Sequence, residues 1–339
     1  MYIPYPAIID RATSYQLKEK GRRFIASSTL PALADYLCIK QDTLKKKVQN
    51  RRYLQFYIPK PDGEKRRIET PYQDLKSLQG QLNQHFQAAY FTVRPSCAYG
   101  ALTSTADEAK PRNIYTNALR HIGKKWLLNV DIRRFFPNIS YDMVYKALKR
   151  APFAFNANTA KCLALLATFE QRLPTGAPTS PILSNIVCLP LDEKLLGLSE
   201  KYGWAYTRFI DDLSFSGAKR FKPKHVAAIE KTLSSEGFKI NTRKLAISRI
   251  KDKPEVTGLI LKKKKPDIGK TFIRRLEENI HLYHAMTEEG MLRRQIFSAQ
   301  LIQRFRRFLH GQLQFVKFVR GEGDVDYVRL LGCLRPRGY

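Results

Sequence analysis

Three acids carry most of the chemistry that this chain can offer. Asp211 and Asp212 stand side by side in Phe209-Ile210-Asp211-Asp212, and Asp131 lies eighty positions earlier, in Asn129-Val130-Asp131-Ile132-Arg133-Arg134-Phe135-Phe136. Adjacent carboxylates repel each other, and burial raises their pKa values. Cations remove that conflict. Hard divalent ions such as Mg²⁺ take carboxylate oxygens and keep part of their shell for water and substrate phosphates. Two such ions, about 3.5–4 Å apart, can activate an attacking oxygen and steady a leaving one during phosphoryl transfer. The pattern points to a two-metal nucleotidyl transferase. An isolated Asp-Asp pair is more often a solvated turn. Here the strand-like run Trp204-Ala205-Tyr206-Thr207-Arg208-Phe209-Ile210 precedes the pair and Leu213-Ser214-Phe215-Ser216-Gly217 follows it, which places both acids at the tip of a β-hairpin.

The elements that must position these acids read as follows. Helices are expected around residues 30–37 and after Asp42, a candidate N-cap, through Val48. A hairpin runs from Tyr53 to Ile58, turns at Pro61-Asp62-Gly63 and returns from Lys65 to Glu69. A helix is expected over 72–87 and a strand over 125–132, followed by helices over 141–150, 158–171 and 180–202. Pro190 should kink the last of these. A helix at 225–236 and strands at 238–241 and 255–261 come next, and the residues after the run 262–265 read as helical and basic. Strands mixed with helices, with acids at strand ends, suggest an α+β catalytic palm.

Composition restricts the partner. The chain has 339 residues, with 60 Lys plus Arg against 30 Asp plus Glu, a formal charge of +30. An excess of that size points to a polyanion, with nucleic acid first in line. The longest apolar stretch, 162–169, is far short of a bilayer span, so no membrane association is expected. The start Met1-Tyr2-Ile3-Pro4-Tyr5-Pro6 lacks the basic and apolar regions of a signal peptide. Five scattered cysteines without a CxxC pair fit reduced thiols and a cytoplasmic location. His281 and His284 share a helix face but have no Cys or acidic pair beside them, so a surface or packing role is expected rather than zinc.

Taken in order, the segments resemble those of bacterial reverse transcriptases, and of the retron type in particular, from about residue 40 to about residue 315. Leu173-Pro174-Thr175-Gly176-Ala177-Pro178-Thr179-Ser180-Pro181 with Leu183-Ser184-Asn185 resembles the family's template- and dNTP-handling loop. Asp131 with Phe135-Phe136-Pro137 resembles its first metal-binding motif, and Phe209-Ile210-Asp211-Asp212 the second. Asn117-Ala118-Leu119-Arg120-His121 is similar to the retron NAxxH element, and Val256-Thr257-Gly258 to the retron VTG triplet. Each motif is weak alone, because short motifs recur by chance. Their order and spacing make them strong together.

The resemblance implies an α+β right-hand polymerase fold. N-terminal helices and fingers would occupy residues 1–124, the palm 125–261 with a fingers-linked insertion at about 145–185, and a helical thumb 262–339. It implies an RNA-directed DNA polymerase that uses two Mg²⁺ ions. Asp131 and Asp211 would bridge them, with Asp212 nearby and the Ile132 carbonyl as a neutral oxygen. One ion would lower the pKa of the primer hydroxyl, and the other would hold the triphosphate and the leaving pyrophosphate. Phe136 would lie under the sugar and exclude a ribose 2′-OH, while a core position suits Phe135 better. Arg66 or Arg67 would grip the triphosphate; strand alternation puts them on opposite faces and leaves open which points inward. Thr175 and Gly176 belong to the dNTP loop, and Lys244 matches a lysine that protonates or stabilises pyrophosphate, with a solvated lysine as the alternative. Two residues depart from the family pattern: Thr175 replaces the usual glutamine, and Phe209 the usual tyrosine.

The same resemblance implies partners. These are a structured non-coding RNA encoded beside the gene, the DNA copied from it, dNTPs, and a separately encoded effector protein in antiphage defence. Synthesis would start from a guanosine 2′-OH of the RNA and leave a branched RNA–DNA product. Asn117, His121, Val256, Thr257 and Gly258 are candidates for recognising that RNA; the alternative is structural, a helix-terminal Asn and a strand-ending Gly. The basic groups at 45–47, 51–52, 262–265, Arg274-Arg275, Arg293-Arg294, Arg304, Arg306 and Arg307 would line a duplex channel through backbone contacts. The competing readings are a group II intron-like reverse transcriptase and a non-catalytic RNA-binding scaffold.

Overall fold

The computed structural model describes residues 9–10, 12–59, 63–288 and 298–334. Met1 to Pro6, the Pro61-Asp62 part of the hairpin turn and Arg293-Arg294 lie outside the described residues. At the centre is a four-stranded antiparallel sheet. Its spatial order is Ala205–Phe209, Asp212–Gly217, Trp126–Asp131, Ala246–Arg249. The two central strands alternate in a way that explains both faces. Leu128 pairs with Phe215 and Val130 with Leu213, and all four are buried in the larger hydrophobic core. Asn129 pairs with Ser214 and Asp131 with Asp212, so the opposite face becomes polar toward the strand ends. A period of two residues carries all three features: the apolar contact, the polar face and its terminal acids.

A two-stranded hairpin, Tyr53–Pro59 and Lys65–Pro71, stands out from the body, and nearly all of its first strand is exposed. Helix Gln73–Phe91 follows it and packs Leu75, Leu78, Leu82 and Phe86 into the larger core. A second core joins Ile114, Ala118 and Leu127 to three C-terminal helices, Lys270–Glu288, Ala299–Arg320 and Val325–Leu334. Helix Ala299–Arg320 buries Ile302, Leu309, Leu313, Val316 and Val319, and it exposes Arg304, Arg306 and Arg307 on its other side.

Several expectations need correction. Residues 238–241 form no strand: a single bridge joins Ile240 to Ile132, and the chain then tightens into the 3₁₀ turn Thr242–Lys244. The fourth strand of the central sheet is Ala246–Arg249, a short edge strand whose four residues carry too little periodicity to be read. The helix expected over 180–202 is two helices, Ser180–Val187 and Leu189–Tyr202, meeting at Cys188. Pro190 sits in the first turn of the second, where its missing N–H has no helical partner to lose. The helix expected to reach 171 stops at Ala167, because Glu170 and Gln171 take positive φ in a tight turn. The N-cap before Leu44 is Lys40, with Asp42 in the first turn. The strand expected over 255–261 is a small hairpin that turns at Thr257 and Gly258, both at positive φ.

Candidate active site

The hairpin Ala205–Phe209/Asp212–Gly217 closes through the two-residue turn Ile210-Asp211. Ile210 takes φ +61°, a conformation that glycine normally supplies at this position. For a β-branched residue the strain is on the order of 1–3 kcal/mol, so surrounding contacts must hold it. One of them reaches the neighbouring strand: the Ile132 N–H donates to the Asp211 carbonyl at 3.0 Å. Asp131, Asp211 and Asp212 are thereby brought to one end of the sheet.

Their electrostatics follow from that convergence. Burial raises the Asp211 carboxyl above its ordinary range, and the charge of Asp131 adds to the effect. Asp212 is pushed up to about 7, by desolvation first and then by Asp211 and Asp131. Asp212 is also exposed to solvent. Asp131 is neutralised differently. Its Oδ1 accepts from Lys244 Nζ at 2.7 Å, and its Oδ2 from Asn241 Nδ2 at 2.9 Å. The turn Thr242–Lys244 is what aims the lysine inward.

Among the described residues, no three His, Cys, Asp or Glu side chains form a ready-made metal cage. The three aspartates nonetheless fit hard divalent ions. Their donors are all oxygen, burial and neighbouring negative charge raise Asp211 and Asp212, and Asp131 already holds a cationic ammonium. A cation at this point would relieve the same repulsion.

The hairpin over residues 53–71 separates Arg66 from Arg67. Arg67 pairs across the strands with Tyr57, on the face that also carries Gln55 and Glu69. Its guanidinium is held by Gln55 at 2.8 Å, Glu170 at 2.9 Å and Glu69 at 3.1 Å. Arg172 takes buried Glu69 with two bonds of 2.7 Å each. Arg66 lies on the opposite face, exposed, and its charge offsets a small part of the rise that burial and Asp131 impose on Asp211. The dNTP-loop residues dock on this hairpin: the Thr175 carbonyl accepts from the Glu69 N–H at 2.7 Å. Gly176 sits at φ +124°, and a Cβ there would come within 2.9 Å of Ile68 Cγ2. Phe135 is buried and Phe136 half-buried beside it, their ring centres 5.5 Å apart.

The candidate RNA-reading residues separate into two groups. Asn117 and His121 are buried, so neither presents its side chain to a ligand in this conformation. His121 bonds Ser216 and Thr207 through its two ring nitrogens, each at 2.8 Å, and burial pushes its pKa down to about 3. Asn117 Nδ2 donates to Thr257 Oγ1 at 3.4 Å. For these two side chains, and for buried Val256, the geometry is that of the structural alternative. Thr257 is half-buried and Gly258 exposed, at the tip of the small hairpin. His281 is exposed on its helix, in keeping with a surface role. Sequence reading missed the supporting residues Glu69, Arg172, Asp192, Arg208 and Asn241. Arg208 alone carried a signal, as the single charge in its strand.

The model of the reverse transcriptase (RNA-dependent DNA polymerase) family matches residues 58–261. This chain belongs to the reverse transcriptases. Among curated relatives, the Retron Ec86 reverse transcriptase of Escherichia coli is 30% identical over 233 residues, 68% of this chain and 69% of that protein. The Retron Mx162 and Mx65 reverse transcriptases of Myxococcus xanthus are each 30% identical, over 68% and 85% of this chain. The chain spans 52% and 65% of the lengths of those two relatives. These relatives place it in the retron-type branch. The α+β architecture around the aspartate-bearing sheet is the right-hand fold of this polymerase family. Reverse transcriptases generally depend on divalent metal, with which the oxygen-only donor set agrees.

Proposed function

We propose that this reverse transcriptase copies part of a cognate structured non-coding RNA into DNA, starting from a guanosine 2′-OH and leaving a branched RNA–DNA product. The observation that carries the reading is the convergence of Asp131, Asp211 and Asp212 at one end of the sheet, with the Lys244 ammonium bonded to Asp131. Asp131 and Asp211 are the proposed ligands of two Mg²⁺ ions, with Asp212 and the Ile132 carbonyl beside them. Ions bound there supply the Lewis acidity that activates a primer hydroxyl and steadies pyrophosphate.

The chain's own residues do the remaining work. Arg66 binds the triphosphate as a planar, multiply donating cation. Lys244 exchanges its contact with Asp131 for the pyrophosphate and gives it a proton. Phe136 packs under the sugar and excludes a 2′-hydroxyl. Thr175 and Gly176 fix the loop against the fingers hairpin, without the amide contacts that a glutamine would make. Fingers, palm and thumb correspond in this reading to residues 1–124, 125–261 and 262–339. The basic face of helix Ala299–Arg320 holds the duplex by its backbone. Thr257 and Gly258 meet the RNA at the tip of the small hairpin; Asn117 bonds Thr257 from beneath, Val256 is buried in the hairpin, and His121 braces Thr207 and Ser216 of the central sheet. A cytoplasmic location, a separate effector protein and a role in antiphage defence complete the proposal; the five unpaired thiols agree with the first.

The test is to purify the protein from cells carrying its neighbouring locus and to treat the bound nucleic acid with ribonuclease and deoxyribonuclease. The expected result is a discrete DNA that stays joined to RNA after protein removal and is missing from Asp211→Asn. RNA alone, with no DNA even when dNTPs and Mg²⁺ are added, overturns the reading in favour of a scaffold. DNA made from added templates but never joined to RNA favours a group II intron-like enzyme.

A further inference from the structure

A buried ion pair lies directly beneath the catalytic turn. Arg208 and Asp192 are both 0% exposed. Arg208 Nε and Nη2 donate to the two Asp192 oxygens at 2.8 and 2.6 Å, and Tyr206 Oη adds a bond to Asp192 at 3.1 Å. The remaining edge of the guanidinium points the other way. Its Nη1 donates to Asn185 Oδ1 at 2.8 Å and to the Ile210 carbonyl at 3.2 Å. The strained residue that precedes Asp211 is thus held from below by a charge anchored on helix Leu189–Tyr202.

The other side of Ile210 is held as closely. A Cβ on Gly100 would lie 2.6 Å from the Ile210 nitrogen and 2.7 Å from its Cγ1, so glycine allows the backbones to touch. The Gly100 segment is zipped to the strand: the Arg208 N–H donates to the Cys97 carbonyl at 2.7 Å, and the Tyr99 N–H to the Arg208 carbonyl at 2.9 Å. Asn185 joins the two supports, accepting from Arg208 and donating to the Gly100 carbonyl at 3.0 Å.

A buried ion pair is a poor device for stability alone, because apolar residues of the same shape often do as well. What a planar guanidinium adds is direction, since its donors leave in fixed orientations. We propose that Arg208, anchored by Asp192 and Asn185, is a positioning residue that sets the Ile210-Asp211 turn and so holds Asp211 near Asp131, where the two carboxylates would bind a divalent metal. This rests on the polymerase reading for its metal, and on the hydrogen bonds above for its geometry.

The experiment compares the full chain with the double variant Arg208→Met/Asp192→Leu, which replaces the pair by apolar side chains and strands neither charge. Two readouts are taken: Mn²⁺ binding followed by electron paramagnetic resonance, and dTTP incorporation on poly(rA)·oligo(dT). The expected result is a cooperatively folded variant whose Mn²⁺ half-saturation is weakened roughly 10–100-fold, with kcat reduced on the same scale and KM for dTTP little changed. A folded variant with wild-type Mn²⁺ half-saturation and wild-type kcat overturns the proposal. Where the double variant fails to fold, Arg208→Lys decides by the same readouts. It keeps a cation against Asp192 but, as a point charge, cannot also reach Asn185 and Ile210. A wild-type protein that binds Mn²⁺ yet incorporates no dTTP defeats the polymerase reading, and the comparison of Mn²⁺ binding still decides the role of Arg208.

Discussion

Asp131 and Asp212 are cross-strand partners at the end of the ladder between the two central palm strands. Side chains in that relation stand about 4.5–5.5 Å apart at Cβ, and like charges there are destabilising by roughly 0.2–1 kcal/mol. The metal-free protein therefore carries a penalty at its own active site. Asp212→Asn is expected to melt at a higher temperature than wild type in chelator, while losing much of its polymerase activity. Added Mg²⁺ should raise the wild-type melting temperature, by binding the folded state alone, and raise that of the variant less. A metal-free Asp212→Asn protein less stable than wild type would contradict this account.

The pH dependence carries a definite sign. Asp212 is raised from 3.8 to about 7 on folding, so the folded state holds the extra proton between those values. Stability from this group is full below about pH 4 and is lost as pH rises through about 7. His121 is lowered from 6.5 to about 3, so the unfolded state takes the proton first and stability falls as pH drops below 6.5. The two slopes oppose each other. Urea titrations across this range should show the advantage of metal-free Asp212→Asn over wild type growing as pH rises from about 4 to about 7. An advantage that shrinks with pH would refute the assignment. Mg²⁺ binding near neutrality should also release protons, which calorimetry in buffers of different ionisation enthalpy measures.

The fingers arginines should differ in kind. Arg66→Ala is expected to raise KM for dNTPs with little change in stability, since Arg66 is exposed and acts at Asp211 through its charge. Arg67→Ala should cost about 0.5–1 kcal/mol, because Arg172 still satisfies Glu69. Arg172→Ala removes the bidentate partner of a glutamate that is 1% exposed, and should cost on the order of 3–5 kcal/mol. Steady-state kinetics and chemical denaturation of the three variants check the order. Equal KM effects at positions 66 and 67 would show that the hairpin does not discriminate between them.

The RNA-recognition candidates should divide along burial. His121→Ala leaves the Thr207 and Ser216 hydroxyls without their shared partner, at about 1–3 kcal/mol for each group stranded. RNA affinity of the folded fraction should stay unchanged. Gly258→Val, at φ +80° on an exposed turn, should weaken RNA binding while affecting global stability by only about 1–3 kcal/mol of local strain. Denaturation and filter binding separate the two. Loss of RNA affinity in a fully folded His121→Ala protein would return that residue to the RNA interface.

The local chemistry of this protein was legible in its sequence. An Asp-Asp pair between two strand-like runs reads as a hairpin tip, and the alternation of Asp212-Leu213-Ser214-Phe215-Ser216 already separates a polar face from an apolar one. The charge of +30 is likewise a sum over residues that needs no coordinates to announce a polyanionic partner. Both kinds of signal depend on neighbours along the chain. What tertiary structure alone decided depends on partners far apart in sequence. Arg66 and Arg67 are equivalent in composition, and only the docking of Glu170 and Arg172 shows which one is tied down. His121 resembled an RNA ligand until Thr207 and Ser216 enclosed it from the palm strands. Asp131 meets Lys244 across 113 positions, and the guanidinium of Arg208 is fixed by Asp192 and Asn185, which lie on helices that precede its strand. Burial and ion pairing are properties of three-dimensional neighbourhoods, so these roles became visible only once the chain was folded.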